Sequence, residues 1–157
     1  MTSSLPSGTA HRAGEFCGRL ERRCRVPIRQ SFGKIVLGVE IGGKRKAYPL
    51  EDAGKLACFT DTIDGQPIAV FWYGPTQTAV AYSTQINGQP LEFYEQPASP
   101  ETAPFKDRGT QTRWTLAGRA VDGRLRGKQL KWIDSIQCRW YAWSAEFPET
   151  ELYEKTE

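Results

Sequence analysis

Four dipeptides, Gly42-Gly43, Asp64-Gly65, Asn87-Gly88 and Asp122-Gly123, each separate two β-compatible stretches of this chain. Each supplies the positive φ that a type I′ hairpin turn requires at both central residues. Four such signals in 157 residues argue for an antiparallel sheet. The 15 glycines and 10 prolines fall mostly as single turn residues between apolar runs, as a hairpin-rich domain requires.

The first hairpin pairs residues 35–41 with 44–48 and ends at Pro49, followed by a short helix over 50–57 that Gly54 weakens. The second pairs 59–63 with 68–73. Its unbroken apolar run Ile68-Ala69-Val70-Phe71-Trp72-Tyr73 predicts a central strand covered on both faces. Residues 78–82 and 91–94 continue the sheet. Pro97, Pro100 and Pro104 make 95–104 a loop that cannot join a ladder, and strands at 113–115, 119–121 and 128–133 follow. A helix is predicted over 135–147, N-capped by Ser135 and stopped by Pro148. Ile136, Trp140, Trp143 and Phe147 then form one apolar stripe at i, i+4, i+7 and i+11, with Cys138 on the opposite side. The expectation is a mainly β (α+β) fold: an antiparallel hairpin-rich sheet or barrel-like β domain with a C-terminal amphipathic helix.

The formal charge of +3 is unevenly spread. The first thirty residues hold six arginines (Arg12, Arg19, Arg22, Arg23, Arg25, Arg29) against Glu15 and Glu21, so the remainder carries about −1. Residues 1–32 read as a basic, poorly packed arm, dispensable to a single β-rich domain over 33–157. The near-neutral remainder lacks the clustered basic face that phosphate binding needs, which argues against nucleic acid as a partner. Cys17, Cys24, Cys58 and Cys138 are too few and too scattered for a disulfide framework, and no Cys-x-x-Cys or second histidine accompanies His11. No metal and no cofactor are expected. With no long apolar run and no apolar leader, the default compartment is the cytoplasm.

Residues 35–153 resemble the bacterial domain of unknown function 3179 family. The resemblance rests on Val36 to Leu50 (VLGVEIGGKRKAYPL), Asp61-Thr62-Ile63-Asp64-Gly65-Gln66-Pro67-Ile68, Thr78-Ala79-Val80-Ala81-Tyr82 and Asp107-Arg108-Gly109-Thr110-Gln111-Thr112-Arg113-Trp114. Gly118 to Gly123, Gly127 to Leu130 and the Phe-Pro-x-Thr ending at Phe147 to Thr150 complete it. Such proteins usually carry Trp-His-Glu after the first hairpin and Cys-Pro-Leu-Cys-Gly-Thr after the central strand. Here Lys55-Leu56-Ala57 and Tyr73-Gly74-Pro75-Thr76 stand at those positions. The histidine and two thiols of a soft-metal or redox site are replaced, and Cys58 is a single thiol beside an apolar segment.

The resemblance therefore implies a scaffold whose chemistry has been removed: a non-catalytic binding or interaction domain for a small molecule or protein. Its candidate surface is Tyr73, Thr76, Leu56 and Cys58 with Trp72 and Tyr82, beside the loop 95–104. Two alternatives stand beside it. One is an enzyme using carboxylates near the sheet ends, Asp61, Asp64, Glu92 or Asp107. The other is carbohydrate binding on an aromatic platform of Trp72, Tyr73 and Tyr82.

Overall fold

The structure is a computed structural model that describes residues 33–97 and 101–155. In chain order the strands are β1 (Ile35–Ile41), β2 (Lys44–Pro49), β3 (Leu56–Ile63), β4 (Gln66–Tyr73), β5 (Thr78–Ser83), β6 (Gln85–Ile86), β7 (Gln89–Pro90), β8 (Phe93–Glu95), β9 (Phe105–Asp107), β10 (Arg113–Trp114), β11 (Trp132–Ile133), β12 (Ser135–Arg139) and β13 (Glu151–Leu152). One α-helix, α1 (Trp140–Glu146), and two single 3₁₀ turns, Glu51–Ala53 and Gly74–Thr76, complete the described elements.

Three of the four turn signals do what their chemistry demands. Gly42 and Gly43, Asp64 and Gly65, and Asn87 and Gly88 all have positive φ, and they close β1–β2, β3–β4 and β6–β7. Asp122-Gly123 is the exception. Only Gly123 has positive φ, and the Asp122 carboxylate accepts instead from the Arg113 backbone N–H at 2.9 Å and from its guanidinium at 2.5 Å. The backbone N–H of Arg113 leads in holding the Asp122 carboxyl below its ordinary value. The expected strand at 119–121 is reduced to isolated bridges, Trp114 to Ala120 and Arg119 to Gln129, and of 128–133 only β11 is a strand.

The first sheet has the order β12-β1-β2-β13, the second β11-β5-β4-β3 and the third β10-β9-β8, with β6-β7 a separate ribbon. All pairings are antiparallel except β13 beside β2. The architecture is mostly β with a C-terminal helix, and it does not close into a barrel. Side chains alternate along β4 and so divide between two cores. Ile68, Val70 and Trp72 pack with Leu37, Val39, Tyr48 and Leu50 of the first sheet and its exit. Ala69 and Phe71 pack with Phe93, Phe105 and Trp114 under the third sheet, where the Phe71 and Phe105 rings stack at 4.1 Å. The outer face of the first sheet holds Val36 and Ala47 against Trp140 and Trp143 of α1.

The C-terminal helix is shorter than its periodicity predicts. Ser135 caps nothing; residues Ser135–Arg139 form β12, paired with Ile35–Val39, and α1 begins only at Trp140. Ile136 therefore sits on a strand and is exposed, while Trp140 and Trp143 are buried as the stripe requires. Cys138 follows Ile136 by two strand positions and shares its face, so it packs half-buried beside the tryptophans rather than opposite them. The helix predicted over 50–57 is likewise confined to one 3₁₀ turn, and its second half is the start of β3.

The expectations for residues 1–32, including Cys17, Cys24 and the basic arm, lie outside the described residues. No helix among the described residues is long and apolar enough to cross a membrane.

Candidate functional site

Strand register places the expected site residues. Leu56 is opposite Tyr73, and Tyr73 is opposite Thr78; one step along, Cys58 is opposite Phe71 and Phe71 opposite Val80. Leu56, Cys58 and Tyr73 therefore share the third-sheet side of the second sheet and are half-buried there. Burial above all pushes the Cys58 thiol well above its ordinary value, and the negative charge of Glu95 on β8 adds to the rise. Thr76 lies in the exposed 3₁₀ turn that follows Tyr73, its hydroxyl 3.5 Å from the Tyr73 carbonyl.

Trp72 and Tyr82 are not brought to that patch. Alternation turns Trp72 to the opposite face, buried, where its Nε1–H donates to the Gly54 carbonyl at 2.9 Å. Tyr82 is on the same face as Cys58 but buried farther along, donating to the Leu116 carbonyl at 2.8 Å. A Cβ on Gly118 would come within 2.7 Å of its ring. Burial pushes the Tyr82 hydroxyl up to about 12.

The four carboxylates each have a structural partner. Asp61 accepts from Lys46 Nζ at 2.7 Å and from the buried Tyr48 hydroxyl at 2.9 Å. Asp64 pairs with Lys44 at 3.5 Å beside the first hairpin turn, and Glu92 with Arg108 at 3.3 Å. Asp107 is fully buried and both of its oxygens accept hydrogen bonds. The Thr110 backbone N–H donates at 2.6 Å, Trp114 Nε1–H at 3.0 Å, and the single Thr110 hydroxyl proton is shared between the two carboxylate oxygens at 2.7 and 2.9 Å. The Asp107 to Trp114 segment is thus a self-bonded turn that locks β9 onto β10. Among the described residues, no group of three or more His, Cys, Asp or Glu is placed to hold a metal ion.

A second grouping arises where the chain crosses between sheets. β11 is the edge of the second sheet and β12 the edge of the first, with Asp134 the single residue between them. Short α1 covers only part of the first sheet's outer face. What it leaves is a groove of about 560 Å³ whose walls include Glu40, Trp132, Asp134, Ile136, Trp143 and Phe147. Trp132 and Ile136 are each 58% exposed, an unusual state for two large apolar side chains lining one groove. Arg45 grips Glu40 through two hydrogen bonds of 2.9 and 3.2 Å and lies 4.5 Å over the Phe147 ring. Asp134 has no hydrogen bond or ion pair among the described residues.

A family model described as a protein of unknown function (DUF3179) matches residues 27–157. The chain belongs to the DUF3179 family. No curated protein and no solved structure matches it, and the family description names no reaction. Sequence reasoning misses the groove of this DUF3179 chain, because helical periodicity assigns Ile136 to the buried stripe. One signal is available: Trp132 falls next to Ile133 and Asp134, where a half-buried edge strand exposes every second side chain.

Proposed function

We propose that this DUF3179 chain is a non-catalytic binding domain and that its contact surface is the groove at the β11–β12 corner. The observation that carries the reading is the pair Trp132 and Ile136, two large side chains that stay exposed on rigid strand backbone. Such a surface contributes apolar area to a ligand with little ordering cost. The fitting ligand is an extended peptide segment that seats an apolar side chain between Trp132 and Ile136. The engagement of Asp61, Asp64, Glu92 and Asp107 with neighbouring groups supports binding over acid–base chemistry. The loss of the family's histidine and paired thiols at Leu56, Tyr73 and Thr76 supports it from the sequence side.

The patch of Leu56, Cys58 and Tyr73 with Thr76 is the second reading, favoured by the register that gathers the first three on one face. Carbohydrate stacking on Trp132 is the third. Titrating a peptide library and a glycan library against the labelled protein distinguishes them through the indole N–H signals. The groove reading expects a peptide that shifts Trp132 and loses at least about tenfold in affinity, some 1.4 kcal/mol, in Trp132→Ala and Ile136→Ser. Binding that survives both substitutions but is lost in Tyr73→Ala assigns the contact to the other patch.

A further inference from the structure

A stretch of chemistry that fits the groove lies within the same sequence. Among the described residues the groove's lining carries Asp134, without an ion pair, the Arg45-bound Glu40 and no lysine or arginine. It therefore favours an apolar side chain flanked by positive charge. Residues Phe16 to Val26 read Phe-Cys-Gly-Arg-Leu-Glu-Arg-Arg-Cys-Arg-Val, with Leu20 set among Arg19, Arg22, Arg23 and Arg25. We propose that this stretch docks in the groove of its own molecule, Leu20 against Trp132 and Ile136 and an arginine at Asp134. The inference rests on the groove being a peptide-binding surface, and it makes the chain's own sequence a competitor for any external ligand.

Reach permits it. The described chain starts at Gly33, whose carbonyl accepts from Arg139 at the far end of β1, and the groove lies alongside the Gly38 to Gly42 half of that strand. Seven residues of strand separate the two points by about 23 Å at about 3.3 Å per residue. Residues 26–33, extended, span up to about 27 Å, so everything before Val26 can arrive without strain. Tethering also relaxes the affinity needed. A short connection sets an effective concentration on the order of millimolar, so an intrinsic Kd near 1 mM leaves the groove about half filled.

The test uses trypsin, which cleaves after the arginines in question. In the full chain at low salt, cleavage at Arg19, Arg22, Arg23 and Arg25 is expected to run at least about twofold slower than in a free peptide of residues 12–29, as half occupancy implies. The protection should disappear in Ile136→Ser and in Asp134→Lys, two exposed positions at which circular dichroism checks that the fold is retained. It should also disappear when an excess of that peptide is added. Cleavage at the free-peptide rate overturns the proposal. So does protection that grows with protein concentration, which places the stretch in the groove of a second copy. If library peptides still shift Trp132 while cleavage is unprotected, only the self-docking inference fails; if nothing shifts Trp132, the groove reading fails with it.

Discussion

The ring of Trp143 lies flat on Gly38: a Cβ at that glycine would fall 2.4 Å from two of the ring carbons. The strand needs no special backbone conformation there, so the glycine serves the close approach alone. Trp143 is further held by its Nε1–H donating to the Thr150 hydroxyl at 3.0 Å and by the Phe147 ring at 4.5 Å.

Gly38→Ala is expected to cost about 1–3 kcal/mol as an overpacked contact, and Trp143→Ala about 3–5 kcal/mol as a large-to-small change. The two should not add. With the ring gone, the added methyl has room, so Gly38→Ala in the Trp143→Ala background should be near neutral. Urea denaturation of the four proteins reads this directly; additive losses would show that the ring is not what excludes the methyl.

Asp107→Ala strands the buried Trp114 Nε1–H at a cost of about 1–3 kcal/mol, while half-buried Thr110 keeps the Thr112 hydroxyl as a partner. Asp107→Asn keeps an acceptor and should lose less. A loss below about 1 kcal/mol for the alanine variant in chemical denaturation would mean that water replaces the carboxylate and the turn is not self-sufficient.

Alkaline pH should loosen the fold in a defined window. Burial raises the thiol of Cys58 above 9.0 and, together with the charge of Asp61, the hydroxyl of Tyr48 above 10.0; Tyr82 is pushed up to about 12. For each group the unfolded chain releases its proton first, so the unfolded state binds fewer protons and stability falls as pH rises. The fall should begin near the ordinary thiol value at about pH 9 and steepen past about pH 10, by up to about 1.4 kcal/mol per pH unit for each group. Thermal melts between about pH 7 and 11 check this, and Cys58→Ala should delay the onset. Stability that stays level to about pH 10.5 would contradict the burial of these groups.

Tag-free protein purified without chelator is expected to hold no near-equimolar zinc, copper or iron, since affinity follows ligand number and type. Elemental analysis reads the outcome. A stoichiometric metal that disappears in Cys58→Ser would move the argument from binding to catalysis.

The hairpins are legible in the sequence because their cause is local: Asp64-Gly65 or Asn87-Gly88 fixes a turn whatever surrounds it. The two-sided burial of Ile68 to Tyr73 is legible for a similar reason, since no polar residue interrupts the run. Ser135 to Arg139 is not. Its hydrogen bonds come from β1, far away in sequence, and a strand that leads directly into a helix can mimic a continuous helical stripe. The groove is hidden with it, because Ile136 is exposed only if it lies on that strand. Asp122-Gly123 departs from its turn signal by competition: the Asp122 carboxylate finds the Arg113 backbone, a partner no turn statistic includes.

The pairing of Ile35 with Arg139 also bears on how the molecule comes into being. Synthesis runs from the N-terminus, so the first hairpin emerges long before β12 and α1 can reach it. At about 5–20 residues per second, that wait is roughly 5–20 s. Throughout it, one ladder edge of β1 and the face bearing Val36 and Ala47 remain open to other nascent chains. The C-terminal stretch thus shields a hairpin made long before it, and a message cut short before residue 135 leaves that edge and that face without the cover of β12 and α1.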